Sequence, residues 1–176
     1  MKQFWLGLSC LSLTFLWSSG CTSAPEVKTQ AYAQLRDHLT FEEDFPTVWK
    51  AIESSLRLAR ITAKDPAEAT PLEMKKLNRR SLQTDWIFSK SKHKYVEFQV
   101  NGFPKKTYLQ NRYKYQVLAE RTWGGIQVRV ISTEEVQRLT ETGAPSDYER
   151  SGDPDSFLAS DLIEKIKLEL NSAPSI

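Results

Sequence analysis

Cysteine and histidine are scarce in this sequence, and their scarcity excludes several kinds of site. Cys10 and Cys21 are the two cysteines among 176 residues, and both lie within the first 21 positions. Residues 22–176 can therefore form no disulfide among themselves and no cysteine-based metal site. The sequence also contains no Gly-rich phosphate loop and no Gly-x-Ser-x-Gly nucleophile motif.

Two histidines, His38 and His93, leave little room for acid–base chemistry. His93 lies among lysines in a predicted turn, where nothing would orient it as a base. Asp85 precedes Trp86 in a predicted strand, so its carboxylate is expected to face water. We therefore expect a protein that is not an enzyme, with no catalytic residue, no cofactor and no bound metal. A cluster of buried polar side chains in the structure would revive the enzyme alternative.

The first 21 residues have the organisation of an export signal. Lys2 is followed by an apolar run of about 14 residues, shorter than the roughly 20 that a spanning helix requires. The run ends in Ser18-Ser19-Gly20-Cys21, which resembles the lipobox of bacterial lipoprotein signals, with Ser18 where leucine is usual. The resemblance implies cleavage between Gly20 and Cys21 and attachment of diacylglycerol and palmitate to Cys21. The alternative is an uncleaved anchor in which Cys21 is an ordinary residue.

Residues 21–37 are predicted to form a lipidated flexible tether between the membrane and a folded domain. They are mostly small and polar, contain Pro25 and show no apolar periodicity. In lipoproteins of enteric bacteria, an Asp directly after the lipidated Cys tends to retain the protein in the inner membrane. Thr22 at this position therefore favours the outer membrane, with the domain in the periplasm. Residues 1–20 are then the signal peptide, residues 38–171 a single domain and residues 172–176 a tail.

Two amphipathic helices are predicted in the domain. The first spans residues 46–59, where Asp44 supplies the cap and Pro46 suits the first turn. The second spans residues 157–170 and follows Asp155 and Ser156 as caps. The apolar stripes consist of Val48, Ile52, Leu56 and Ala59 in the first helix and Leu158, Leu162, Ile166 and Leu170 in the second. Each helix therefore has one face to bury.

Alternating apolar and polar residues predict an antiparallel sheet. The clearest pair is a hairpin over residues 112–131, with a turn at Trp123-Gly124-Gly125. Other strands are predicted at residues 38–41, 60–64, 81–88 and 95–100. Turns or loops are predicted at residues 90–94, around Lys105 and Lys106, and at residues 143–154; residues 72–80 are predicted to be exposed, and residues 133–139 to leave the sheet. We expect an α+β fold: a curved antiparallel β-sheet with two amphipathic helices packed on one face.

Charge is unevenly distributed along the chain. Residues 60–130 contain 15 Lys/Arg and 6 Asp/Glu, whereas residues 131–176 contain 4 and 10. The basic part is expected either to contact acidic lipid headgroups or an acidic protein, or to be neutralised within the fold. Nucleic acid is not expected as a partner, because Tyr113 and Tyr115 fall on the opposite strand face from Arg112 and Lys114.

Four short motifs together resemble a lipoprotein family. They are Val48-Trp49-Lys50-Ala51-Ile52, Thr84-Asp85-Trp86, Arg112-Tyr113-Lys114-Tyr115 and Gly125-Ile126-Gln127-Val128. Over roughly residues 41–139 their order is similar to that of the BamC (NlpB)-like helix-grip lipoproteins, which are accessory to the outer-membrane β-barrel assembly machinery. The resemblance implies a helix-grip-like fold and a non-catalytic scaffold or accessory role with protein partners in envelope assembly. BamC itself has two such domains and a longer N-terminal binding segment than this chain.

The same pattern leaves a second function open. A sheet wrapped around a helix can leave a cavity between them, in which a lipid or other amphiphile would bind. A filled core would exclude this alternative.

Replacement of Cys21 tests the lipidation. Cys21→Ala is expected to leave an uncleaved precursor without palmitate, because the acyl acceptor is the Cys21 thiol. Metabolic labelling with palmitate and gel mobility report the two effects, with Cys10→Ala as the matched control. Normal processing of Cys21→Ala would refute the lipobox.

Overall fold

The computed structural model describes residues 26–29, 35–150 and 156–172. These residues form, in order, β1 Lys28–Thr29, β2 His38–Phe41, α1 Phe45–Ser55, β3 Ile61–Asp65, α2 Pro71–Lys76, β4 Arg79–Thr84, β5 Ile87–Val100, β6 Phe103–Thr122, β7 Gly125–Leu139, β8 Pro145–Arg150 and α3 Ser156–Ser172. None of the described helices is long and apolar enough to cross a membrane. The predicted signal peptide and lipobox, with Gly20 and Cys21, lie outside the described residues.

Strand β6 is the centre of the sheet, because it is paired along both edges. One edge pairs with β7 over residues 111–122. The other edge pairs first with β5, over residues 103–113, and then with β4, over residues 116–120. β3 extends the sheet from β4, β1 from β5, and β2 and β8 from β7. All of these pairs are antiparallel, and the described strands form one sheet.

Both long helices pack on the same face of the sheet. Their apolar stripes enter one core with the sheet residues beneath them. The core includes Phe45, Val48, Trp49 and Ile52 of α1, Leu158, Leu162 and Ile166 of α3, and Val117, Ala119, Val128 and Val130 of the sheet. The predicted α+β class, with a curved antiparallel sheet and two amphipathic helices on one face, is confirmed.

The predicted start of α1 is also confirmed, whereas its end lies earlier than expected. The Asp44 side chain accepts a hydrogen bond from the backbone N–H of Thr47 at 3.0 Å, and proline occupies the first turn. The helix ends at Ser55 with Leu56 as its cap, and Ala59 then bonds to the Leu56 carbonyl at 2.8 Å in a turn. Leu56 and Ala59, the last two residues of the apolar stripe, therefore lie in a turn and not in the helix when they pack on the core.

β5 and β6 form a longer hairpin than the alternation predicted. Residues 90–94, predicted as a turn, stay within β5, and Lys105 and Lys106, predicted in a loop, lie within β6. The turn falls at Asn101 and Gly102, which both have positive φ, directly after Val100, the predicted end of the strand. The prediction failed because alternation does not reveal the pairing with a neighbouring strand, and Lys90, Lys105 and Lys106 are tolerated in strands where their side chains face water.

The predicted strand at residues 81–88 is divided between β4 and β5. Because both strands pair with the same edge of β6, the chain must step from one to the other, and it does so at Asp85 and Trp86. This step shifts by one residue the alternation between side chains that face the core and side chains that face away from it. Phe88, predicted to share the core face with Leu82, is therefore 66% exposed on the opposite face.

Residues 72–80 are mostly exposed, as predicted, and Lys75, Lys76 and Arg79 face water. They form α2 and the start of β4, and Arg80 is buried. Its guanidinium lies 4.6 Å from the centre of the Trp49 ring, and its Nε donates to the Pro66 carbonyl at 3.3 Å. Stacking and a carbonyl acceptor allow this cation to be buried.

Two C-terminal predictions are wrong as well. Residues 133–139 do not leave the sheet but continue β7 to Leu139, paired with β6 and β8. The predicted loop at residues 143–154 contains β8, which begins just after the positive-φ residue Gly143. Both segments are rich in polar residues, so alternation gave little sign of their pairing.

The predicted flexible tether is not free along its whole length. Lys28 and Thr29 pair with Tyr95 and Lys94 of β5. Lys28 also donates to Glu97 at 2.5 Å. The chain is therefore fixed to the sheet seven residues after Cys21.

Candidate functional site

A cluster of polar side chains is buried within the sheet. It consists of Ser91, His93, Lys94, Asn111, Ser132 and Glu134, each 1–8% exposed, and is named here the Glu134 cluster. Asn111 of β6 and Ser132 and Glu134 of β7 belong to it because they lie on the core-facing side of their strands. Ser91, His93 and Lys94 lie in a bulge of β5, where residues 91–94 stand opposite the single residue Leu109. The Ser91 hydroxyl accepts from the Lys94 backbone N–H at 2.9 Å within this bulge.

Glu134 is bonded through both oxygens of its carboxylate. Lys94 Nζ forms an ion pair with Oε2, and Asn111 Nδ2 donates to Oε1 at 2.6 Å. His93 Nε2 lies 3.9 Å from Oε2. The His93 ring also contacts Phe157 of α3, with 5.4 Å between the ring centres. Three strands and one helix thus meet around a single buried anion.

The Glu134 cluster has the buried polar residues that the enzyme alternative requires, but a substrate could not reach them. A general acid or base must come within hydrogen-bond reach of a substrate atom. The Glu134 carboxylate is satisfied from within the protein, and none of the six residues lines the cleft between α1, α3 and the sheet. The geometry favours a structural role, in which paired charges fix the register of neighbouring strands. That the protein is not an enzyme stays a prediction.

His93 and Asp85, the two acid–base candidates from the sequence, differ in exposure, because His93 is buried and Asp85 faces water. His93 was predicted in a turn without an orienting partner, which is wrong, because it is buried beside Glu134 and Phe157. Asp85 has a side chain that is 45% exposed, in agreement with its predicted position in water. Its carboxylate lies 3.8 Å from Arg60 and accepts from the Trp86 backbone N–H at 2.9 Å.

A cleft of about 410 Å³ lies between the C-terminal end of α1, α3 and the sheet. This volume is within the range of small-ligand sites, roughly 300–1,000 Å³. Its walls are formed by residues 54–59, by Leu162, Lys165 and Glu169 of α3, and by Ile87, Tyr113 and Tyr115 of the sheet. The cleft exists because α1 ends at Ser55, so that a turn rather than a helix covers this part of the sheet. The alternative of a bound lipid or other amphiphile therefore stays open.

The cleft combines an aromatic wall with charged groups. Tyr113 and Tyr115 meet edge to face, with 5.3 Å between their ring centres. The Tyr115 hydroxyl donates to the Leu158 carbonyl at 3.3 Å, while burial raises the pKa of the Tyr113 phenol. Arg57 and Lys165 add positive charge to the lining and Glu169 adds negative charge, and Lys165 is itself paired with Asp161 at 2.8 Å. An apolar body with a polar end matches this lining.

The sheet face opposite the helices carries an aromatic platform. Its members are Trp86, Phe88, Arg112, Lys114, Glu135 and Tyr148, and it is named here the outer-face platform. The Arg112 guanidinium lies 4.8 Å from the Trp86 ring centre and 4.7 Å from that of Tyr148. Arg112 also donates twice to one oxygen of Glu135, at 2.6 and 2.5 Å. These contacts hold both rings in fixed positions.

Part of the basic stretch is neutralised by the acidic C-terminal part. Lys94 pairs with Glu134, Arg112 with Glu135, and Lys92 approaches Asp161 at 3.9 Å. These pairs support the expectation of charge neutralisation within the fold at those positions. Lys105 and Lys106, in contrast, are exposed at the far end of the hairpin.

The four family-like motifs occupy structural rather than catalytic positions. Val48 to Ile52 form the buried face of α1, and the Thr84 hydroxyl oxygen accepts a hydrogen bond from the Tyr115 backbone N–H at 3.0 Å. The Arg112 to Tyr115 motif has two roles, because its charged residues belong to the outer-face platform and its tyrosines to the cleft. The alternation in this motif had predicted that division correctly.

A double-mutant cycle tests the structural role of the Glu134 cluster. Glu134→Leu is expected to lower the free energy of unfolding by about 3–5 kcal/mol, because Lys94 is left buried without its counter-charge. Adding Lys94→Met should recover most of that loss. Urea unfolding of the purified chain measures both.

An exposed ion pair provides the control for this cycle. Arg138 and Glu149 lie 2.5 Å apart with side chains 58% and 54% exposed, so Glu149→Leu should cost less than about 1 kcal/mol. Equal losses for Glu134→Leu and Glu149→Leu, or no recovery in the double variant, would contradict the structural assignment.

Comparison with known proteins adds no family to these observations. No protein-family model matches the chain, and no curated protein matches it. The similarity to the BamC-like lipoproteins therefore rests on the four motifs and on their order along the fold.

Proposed function

We propose that this chain is a lipid-anchored accessory protein of the bacterial envelope that acts by binding and not by catalysis. The lipobox-like end of the export signal supports anchoring through Cys21, and Thr22 supports the outer membrane with the domain facing the periplasm. The motif order supports a role as a scaffold or accessory in outer-membrane β-barrel or envelope assembly. Its partner in this role is a protein.

The outer-face platform is the observation that carries this proposal. Trp, Tyr and Arg are the residues most enriched at binding hot spots, and all three meet on a sheet face that the helices leave uncovered. Phe88 is 66% exposed and contacts Tyr148 edge to face at 6.2 Å. Because stacking on Arg112 already fixes the rings, a partner would pay little entropy to order them.

Substitution of the platform tests the protein-binding role. Trp86→Ala combined with Phe88→Ala is expected to reduce partner recovery about 30-fold, which corresponds to a hot-spot loss of about 2 kcal/mol. The measurement is a quantitative pull-down of the tagged full chain from detergent-solubilised membranes. Trp123→Ala is the control, since Trp123 is a fully exposed tryptophan in the β6–β7 turn.

Two outcomes would count against this role. One is a wild-type pull-down that contains no component of the barrel-assembly machinery or of another envelope-assembly complex. The other is an equal loss of partner with Trp123→Ala, which would show that the effect does not come from the platform.

The cleft favours a second candidate function, the binding of a lipid or other amphiphile. Its aromatic and aliphatic wall offers burial for an apolar chain, which contributes about 0.8 kcal/mol for each CH₂ removed from water. Arg57 offers positive charge for an anionic end of such a molecule. In this function the chain would still be anchored through Cys21.

Filling the cleft tests the second function. Ala59 is half-buried on the cleft wall, so Ala59→Trp is expected to occupy the volume and to reduce the bound fraction of an amphiphile about tenfold. Native mass spectrometry of the purified chain and displacement of a fluorescent fatty acid measure that fraction. Leu72→Trp on the exposed surface of α2 is the control. An unliganded wild-type chain that does not bind the fatty acid would rule out this function.

A further inference from the structure

The β5–β6 hairpin carries an apolar row beyond the cover of the helices. Val96, Phe98 and Val100 alternate along one face of β5, and Phe103 joins them as the partner of Val100. Val96 is buried and Phe98 half-buried, whereas Val100 is 46% and Phe103 75% exposed. Exposure therefore rises along the row toward the turn. Residues 98–107 are named here the hairpin tip.

The hairpin tip is positively charged as well as apolar. Residues 98–107 contain two lysines and no acidic residue. Lys105 pairs with Phe98 and shares the face of the apolar row, while Lys106 lies 4.4 Å above the Tyr95 ring on the other face. Apolar side chains flanked by cations are the composition of segments that lie in the interface of an anionic bilayer.

The N-terminal segment joins the domain beside this hairpin. Lys28 pairs with Tyr95, and its ammonium donates to Glu97 at 2.5 Å. This hydrogen bond raises the pKa of Lys28 and lowers that of Glu97, which keeps both groups ionised. Val27 packs on the small core under the hairpin. Because the pairing is antiparallel, the chain followed backward from Lys28 heads toward the hairpin tip.

Cys21 and the turn of the hairpin lie at similar distances along the chain from the point where Lys28 pairs with Tyr95. Lys28 is seven positions after Cys21, and an extended chain covers at most about 25 Å over that length. Gly102, in the turn, lies seven residues beyond Tyr95, or about 23 Å along β5. A membrane that holds Cys21 is therefore within reach of the turn.

We propose that the hairpin tip docks into the headgroup region of the bilayer that holds the Cys21 acyl chains. Val100 and Phe103 enter the interface, and Lys105 and Lys106 pair with anionic headgroups. The proposal rests on the lipid anchoring proposed above and adds an orientation to it, since the acyl chains alone would leave the domain free to tumble. The occupant of this surface is the anchoring bilayer itself.

Depth measurements on the full lipidated chain test this docking. A fluorophore is attached at Gln99→Cys in the tip or, as control, at Trp123→Cys at the opposite end of β6. Lipidation converts the Cys21 thiol to a thioether, so the introduced cysteine is the reactive thiol of the mature chain. The labelled chains are reconstituted into phosphatidylethanolamine–phosphatidylglycerol vesicles, and quenching by aqueous iodide and by doxyl-labelled lipid is compared. Palmitate incorporation is measured on the same preparations.

The expected result is several-fold weaker iodide quenching and stronger doxyl quenching at position 99 than at position 123. Phe103→Asp, and separately Lys105→Glu with Lys106→Glu, should return position 99 to the values of position 123. Equal quenching at both positions in a palmitate-labelled chain would overturn the docking and leave the anchor intact. A chain without palmitate would overturn the anchor and the docking together, and the label alone distinguishes these two failures.

Discussion

The burial of one carboxylate determines how the second half of the sheet is built. A buried charge costs several kcal/mol unless it is paired and hydrogen-bonded, and Glu134 is satisfied by Lys94 and Asn111. Lys94 reaches it through the bulge of β5, which interrupts the ladder between Lys90 and Tyr95. The main core therefore stops at this cluster. The hairpin beyond it depends on a small core of its own and on the backbone pairing of β5 with β6.

The sequence predicted most elements that have one apolar and one polar face, except that residues 81–88 are divided between two strands and α1 ends early. The strand at His38–Phe41, the Asp44 cap and the hairpin centred on Trp123 all follow from such contrast. Prediction failed where both faces carry polar residues, as around Lys105 and Lys106 or in β8. In those segments the ladder is held by hydrogen bonds to a neighbouring strand, and one sequence does not reveal which neighbour is present.

The candidate sites divide in the same way. The core position of Glu134 follows from alternation with Val130 and Val136, once β7 is known to continue to Leu139. Its partner Lys94 lies 40 residues earlier in a bulge, for which alternation gives no sign. The cleft was equally hidden, because the apolar stripe of the first helix continues to Ala59 while the helix itself ends at Ser55. Long-range pairing and helix termination, and not residue type, created both features.

In the proposed docking, the hairpin stands on its tip and so sets the height of both candidate binding surfaces above the membrane. Tyr113 of the cleft lies ten residues from Phe103 along β6, which amounts to about 33 Å at 3.3 Å per residue. Arg112 places the outer-face platform at the same level. In that orientation a lipid whose acyl chains remain in the bilayer would not reach the cleft, so an amphiphile bound there must have left the membrane completely. A protein partner at the platform would likewise approach from the side of the sheet. The anchor would thus fix the distance from the membrane, while the two surfaces would decide what is bound.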